Sequence, residues 1–206
     1  MIKEIIFDFD GTIADSFEII MSIFFEFRTK LGLDEFGKRE IEIYRTKGVE
    51  EILRNSKISM LEISRVIAEM RKVANETMLE AKPFLGMISV LNKLKSKRLN
   101  LGIMSTNGEK TINKFLEKNK ITVFDYVVGK GGLLGKDKVI KSILKKRKLK
   151  PDEVLYVGDE VRDIKACKKL GVKIIAVTWG FNDKRVLGEN KPDYLIDKPN
   201  KILDIL

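Results

Sequence analysis

The apolar residues of the chain change rhythm twice, and the changes divide it. Ile5-Ile6-Phe7 is a continuous apolar run that stops in Asp8-Phe9-Asp10-Gly11. So short a run closed by Asp-Gly predicts a strand, placed over Lys3 to Phe9. From Ser16 onward the period becomes helical. Ile20, Ile23, Phe24, Phe27 and Leu31 fall on one face, with Ser16 placed to cap the helix and Gly32 to stop it. Helical patterns continue through Ile41 to Tyr44, Val49 to Leu53 and Ile63 to Met78, and Pro83 closes the block.

Beyond Pro83 strands and helices alternate. Helices are predicted near Met87 to Lys97, Lys110 to Asn119, Lys138 to Arg147 and Asp163 to Leu170. Strands are predicted over Leu99 to Met104, Phe124 to Val128, Val154 to Val157 and Lys173 to Thr178, with Tyr194 to Ile196 as a short edge strand. Such alternation argues for an α/β fold, a Rossmann-like parallel sheet core covered on both faces. The helical block then reads as an insertion after the first strand. On this reading the body is discontinuous, 1–15 plus 83–206, and 16–82 form an inserted α-helical cap domain. Phe24, Phe27 and the Ile63 to Met78 stripe are its expected core.

Composition narrows the class. With 206 residues, 44% hydrophobic and 34% charged, the chain has the make-up of an ordinary globular protein. No apolar run approaches the roughly 20 residues that span a bilayer. The strand pattern begins at once, without the charged and apolar regions of a signal peptide, so a cytoplasmic location is expected. Cys167 is the single cysteine, excluding an intrachain disulfide, and the absence of histidine excludes His-based triads and zinc sites that use histidine. Cys167 shares a helical face with Ile164 and Leu170 and reads as a buried apolar residue. The net charge of +10 favours anionic partners. The densest basic run, Lys145 to Lys150, reads as a solvated helix end, and it has no interleaved aromatic residue to stack on bases.

Ligands of open parallel sheets bind beyond the carboxyl ends of the strands. There the first strand delivers Asp8 and Asp10, which alternation sends to one side. The second delivers Ser105, Thr106 and Asn107, small donors suited to phosphate oxygens. A glycine-rich stretch with Gly131, Gly132 and Gly135 follows the third strand and leads to Lys136, with Lys138 as the alternative lysine. The fourth delivers Asp159, Glu160 and Asp163. Two carboxylates side by side are costly to bury without a cation. Hard oxygen ligands with carboxylate charge select Mg²⁺, which typically bridges to a substrate phosphate. A carboxylate in such a site can attack phosphorus, and a second can move the proton. A P-loop reading of the glycine stretch fails, because Lys130 and Asp137 stand where glycine and Ser/Thr are required.

DFDGTIADS, IMSTN, a loop lysine and VGDEVRD, in that order, resemble the four motifs of the haloacid dehalogenase superfamily. VTWGF followed by KPDYLIDKP is similar to the tail of its phosphoglycolate phosphatase-like members. The resemblance covers nearly the whole chain. It implies a phosphatase in which Asp8 is the nucleophile and Asp10 the acid and base. It further implies Mg²⁺ bound by the Asp8 carboxylate, the Asp10 backbone carbonyl and Asp159, with Asp163 acting behind them. Ser105 matches the motif hydroxyl and Thr106 is the alternative; Lys136 matches the phosphate lysine. The dehalogenases lack the second aspartate and need no metal, so Asp10 with Asp159 points to phosphate chemistry.

The expected substrate is a small phosphorylated metabolite, with phosphoglycolate as one candidate. The stretch Tyr44 to Val49, read as an interruption between two helical patterns, resembles the substrate-specificity loop of the family's caps. Arg45 and Lys47 could there hold a substrate anion or be ordinary solvated charge. Trp179 ends a strand and either shapes the site or packs under the cap hinge. A phosphomutase sharing the same motifs stands as the alternative function. A basic nucleic-acid-binding protein without catalysis is the remote one, and no membrane partner is expected.

Overall fold

The computed structural model describes residues 1–33, 37–48, 58–129 and 135–206. Six parallel strands make the main sheet: β1 (Glu4–Phe7), β4 (Asn100–Ser105), β5 (Tyr126–Gly129), β6 (Val154–Gly158), β7 (Lys173–Val177) and β8 (Tyr194–Ile196). Their order is β5-β4-β1-β6-β7-β8. Ile5 lies beside Leu101 and Leu155, and Phe7 beside Ile103 and Val157, so β1 is central. The chain leaves β1 for β4 on one side and β6 on the other. That reversal opens a crevice at the carboxyl ends of the three strands, the usual ligand position in such sheets. The predicted edge strand at Tyr194 to Ile196 is present as β8.

The sheet is buried on both faces, which is why its strands read as unbroken apolar runs. On one face Ile5, Phe7, Leu101, Ile103 and Val157 pack against α4 (Met87–Ser96) and α5 (Glu109–Lys118). On the other, Ile6, Met104, Tyr156 and Ile174 pack against α6 (Lys136–Arg147) and α7 (Val161–Leu170). Phe7 is fully buried and meets Phe124 edge-on. Burying a phenylalanine side chain contributes about 1.5–3 kcal/mol. Cys167 lies in this second core, and burial pushes its thiol pKa well up, as expected of an apolar residue.

Between Asp15 and Lys82 the described elements are helices: α1 (Phe17–Phe27), α2 (Lys38–Lys47) and α3 (Met60–Thr77), followed by a 3-10 turn at Met78–Glu80. Phe17, Met21, Phe24, Phe27, Tyr44, Val66 and Met70 share a core with Phe181 from beyond β7. A two-residue antiparallel pair, β2 (Ala14–Asp15) with β3 (Lys82–Pro83), stands where the chain enters and leaves this block. Sequence periodicity gave no sign of it, because two residues carry no period.

Three local readings change. Ser16 stands at the N-cap position of α1 but makes no side-chain cap bond; its hydroxyl donates to Asp10 Oδ1 instead. Helix α1 ends at Phe27, and Gly32 closes the following turn with a φ of +65°. Tyr44 to Lys47 is the last turn of α2, not an interruption, and Gly48 ends it at a φ of +82°. The predicted helix at Val49 to Leu53 and the glycines at 131 and 132 lie outside the described residues. Of the Lys145 to Lys150 run, Lys145 to Arg147 form the last turn of α6 and Lys148 caps it, and Arg147 reaches back to buried Glu4.

Candidate active site

The crevice beside β1 gathers the chemistry-bearing residues. Asp8 follows β1 directly, is 4% exposed, and takes the Phe9 N–H on Oδ1 at 2.8 Å. Its other oxygen meets Lys136, the first residue of α6, whose ammonium also meets Asp163 Oδ1. Lys136 is buried, whereas Lys138 is exposed. From the first helical position Lys136 is thus aimed back toward the end of β1.

Asp159 follows β6 and is completely buried. Both of its oxygens have donors: Thr12 Oγ1 gives to Oδ1 at 2.8 Å and Phe181 N–H to Oδ2 at 2.7 Å. The fit around it needs two glycines. A Cβ on Gly11, whose φ is +69°, or on Gly180 would come within 2.2 Å of Asp159 Oδ2. Asp163, on the first turn of α7, takes the Glu160 N–H at 3.1 Å and the Tyr156 hydroxyl at 3.3 Å. Carboxylate oxygens of Asp8, Asp159 and Asp163 all lie within 4.8 Å of one another.

Asp10 is only partly buried, and its carboxylate is held from two sides. Ser16 Oγ donates to Oδ1 at 3.0 Å and Asn107 Nδ2 to Oδ2 at 2.8 Å. Ser105 is buried at the end of β4, and its hydroxyl oxygen accepts the Asn107 N–H at 3.0 Å. Thr106 beside it is half-buried. Thus Asn107, read from sequence as a phosphate donor, turns its amide to Asp10.

Five carboxyl groups gather here (Asp8, Asp10, Asp159, Glu160, Asp163), with the Lys136 ammonium on Asp8 and Asp163 and the Arg162 guanidinium on Glu160. Burial raises the Asp8 carboxyl to about 6 even though Lys136 opposes it. Burial and the Asp8 charge raise Asp10 to about 7. Asp159 is driven up strongly by burial, then by Glu160 and Asp8. Burial works to lower the Lys136 ammonium, but Asp163 and Asp8 outweigh it and hold it above its ordinary range. The surplus of buried acid is unfavourable unless a cation joins it. A divalent ion with oxygen preference fits that donor set.

The other expected residues lie at the junction with the helical block. The Arg45 guanidinium sits 3.9 Å from the centre of the Phe17 ring. Lys47 lines a cavity of about 60 Å³ with Glu160, Arg162, Lys165 and Asn182. Trp179 donates from Nε1 to the Thr12 carbonyl at 3.2 Å and packs near Phe84, beside β3. Thr12, Gly180, Phe181 and Arg162 are not individually marked by sequence, and Ser16 is marked there only as a helix cap. Thr12 and Ser16 stand inside the DFDGTIADS stretch itself, so their spacing from Asp8 and Asp10 was the available signal. Gly180 and Phe181 stand in the VTWGF stretch, which marks a family resemblance but not their contact with Asp159; only the fold supplies that.

This geometry accords with the relationships of the chain. Residues 5–177 match the family model described as haloacid dehalogenase-like hydrolase, and the chain belongs to that family. A phosphoglycolate phosphatase of Synechococcus elongatus is 31% identical over 202 residues, 98% of this chain and 95% of that protein. The pyrophosphatase PpaX of Bacillus mycoides is 26% identical, over 100% of this chain and 97% of that one. A haloacid dehalogenase-like hydrolase of Streptococcus pneumoniae superposes with a TM-score of 0.83 at 27% identity, covering 99% and 98% of the two chains. The protein is therefore a hydrolase of this family with phosphatases among its relatives. No helix among the described residues is long and apolar enough to cross a membrane.

Proposed function

We propose that the protein is a Mg²⁺-dependent phosphatase that hydrolyses a small phosphorylated metabolite through an aspartyl phosphate on Asp8. The observation that carries this reading is the pairing of two differently held carboxylates. Asp8 is buried against a lysine, while Asp10 is partly open and poised by two neutral donors. Residues 1–15 and 83–206 are the catalytic body in this reading, and 16–82 the cap that closes on it.

Held by Asp8, Asp159 and the Asp10 backbone carbonyl, with Asp163 behind them, Mg²⁺ would neutralise charge on the phosphoryl oxygens. Asp8 attacks phosphorus through a carboxylate oxygen, forming the acyl phosphate as the bond to the leaving oxygen breaks. Asp10, held in direction by Ser16 and Asn107, gives a proton to the leaving oxygen. The carboxylate so formed then takes a proton from water as it attacks the acyl phosphate, releasing inorganic phosphate and restoring Asp8. Lys136 holds Asp8 in place and offsets charge on the phosphoryl group, and Ser105 with Thr106 supplies hydroxyl donors to its oxygens.

Lys47 faces the cavity at the cap junction, and with Arg45 nearby it supports a substrate that carries a second anionic group. The Synechococcus relative makes phosphoglycolate the first candidate and the Bacillus relative makes pyrophosphate the second. Phosphate release from 2-phosphoglycolate, pyrophosphate and a generic aryl phosphate tests the reading. Turnover that needs Mg²⁺ and disappears in Asp8→Asn is expected, and turnover surviving that substitution overturns it. A sugar bisphosphate in the same assay, examined for isomerised product, tests the phosphomutase alternative.

A further inference from the structure

Asn182 is 2% exposed and uses its whole side chain between two parts of the molecule. Its Nδ2 donates to the Tyr44 carbonyl at 3.0 Å and to the Arg45 carbonyl at 3.2 Å, both on the last turn of α2. Its Oδ1 accepts the Val161 N–H at 2.8 Å, at the first residue of α7 and two residues after Asp159. The next residue, Asp183, donates its N–H to the Arg45 carbonyl at 3.0 Å. The preceding residue, Phe181, donates its N–H to Asp159 and turns its ring toward Phe17 and Tyr44, with centroids 5.3 and 5.6 Å away.

The carbonyls at a helix C-terminus have no partner within the helix. In α2 the Arg45 carbonyl is one of these, and a single side chain of the α/β body takes it together with the Tyr44 carbonyl, which also accepts the Gly48 N–H at 2.9 Å. The same short turn thereby holds the helical block with Asn182 and the buried acid Asp159 with Phe181. We infer that Asn182 is a positioning residue, a latch that couples docking of α2 to the placement of the Asp159 loop. The site is complete only while α2 is docked. A ten-residue helix is marginal on its own, so an undocked α2 exposes its amides to water.

Two substitutions separate the arms of the latch. Asn182→Ala removes the donors to Tyr44 and Arg45 and the acceptor for Val161. Asn182→Asp, nearly isosteric, removes the donors but keeps an acceptor for Val161, and it carries the test if the alanine variant folds poorly. Hydrogen exchange on the ligand-free proteins is expected to show the α2 amides exchanging about tenfold faster or more in both variants, from the loss of two hydrogen bonds. The Val161 amide should lose protection in the alanine variant and keep it in the aspartate variant. A merely space-filling role would not produce that split. Unchanged exchange of α2 in either variant, or a Val161 amide that behaves alike in both, overturns the inference.

The kinetic arm rests on the phosphatase reading, and the exchange arm does not. In both variants kcat/KM with an aryl phosphate should fall about tenfold and kcat about threefold or less, because bound substrate helps to draw the cap down. A loss confined to kcat contradicts the latch while leaving the phosphatase reading intact. A wild-type protein that releases no phosphate from any ester contradicts the phosphatase reading, with the exchange result still deciding the latch.

Discussion

Asn107 holds Asp10: the amide nitrogen of its side chain lies 2.8 Å from Asp10 Oδ2, across 97 residues of sequence. Ser16 takes the other oxygen. Neutral donors leave Asp10 free to gain and lose a proton while fixing its direction, which is what an acid that later serves as a base requires. Asn107→Ala should therefore lower kcat by about 10- to 100-fold in phosphate release with little change in KM, as removal of a group acting mainly on proton transfer would. An unchanged kcat would remove Asn107 from any role at Asp10.

Thr12 gives a second prediction. Its hydroxyl satisfies one oxygen of fully buried Asp159. Thr12→Val keeps the shape and leaves that oxygen without a donor, at a cost of about 1–3 kcal/mol. Thermal unfolding should register the loss as a Tm lowered by several degrees, and the Mg²⁺ concentration for half-maximal activity should rise. Thr12→Ser should recover most of both.

The raised acids make stability depend on pH with a definite sign. Asp8 and Asp10 have folded-state pKa values near 6 and 7, above the 3.8 of an unperturbed aspartate. The folded protein therefore binds more protons than the unfolded chain between about pH 4 and 7, and stability from these groups is lost as pH rises through that window. Chelated protein should melt at a lower temperature at pH 7.5 than at pH 5. Mg²⁺ should raise the Tm more at pH 7.5, where the carboxylates are ionised to receive it. Equal stabilisation by Mg²⁺ at both pH values would contradict this account of the acid cluster.

Far from the site, Glu4 is fully buried at the start of β1, where Tyr126 Oη donates to it at 2.6 Å and Arg147 pairs with it. The Arg147 guanidinium also lies 4.5 Å from the Tyr126 ring centre. Arg147→Met would leave a buried carboxylate with only the tyrosine, at a cost of about 3 kcal/mol. Denaturant unfolding should show that loss while kcat stays as in the wild type.

The strands of the sheet were legible because each is apolar on both faces and ends in a charged or glycine-rich turn. Asp8, Ser105 and Asp159 then follow from reading what stands just beyond β1, β4 and β6. Lys136 was legible as the lysine between a glycine-rich stretch and a helix expected from Lys138, and the helix in fact starts at Lys136 itself. What sequence could not supply was partnership. Ser16 reads as a helix cap because Ser commonly caps, yet an acid six residues earlier takes its hydroxyl. Nothing in the sequence marks Asn182, whose contacts to Tyr44 and Arg45 exist only once α2 has folded back over the turn beyond β7. The ends of α2 were misread for a similar reason, since Tyr44 packs on Phe181 from the body and that contact leaves no trace in local periodicity.

The most direct measurement is to trap the covalent intermediate. Asp10→Asn, incubated with an aryl phosphate and Mg²⁺, should accept a phosphoryl group and hydrolyse it slowly. After acid quenching and digestion, mass spectrometry should find the phosphoryl increment on the peptide that carries Asp8 and on no other. Phosphorylation of another residue, or rapid steady-state turnover by this variant without any labelled peptide, would contradict the account.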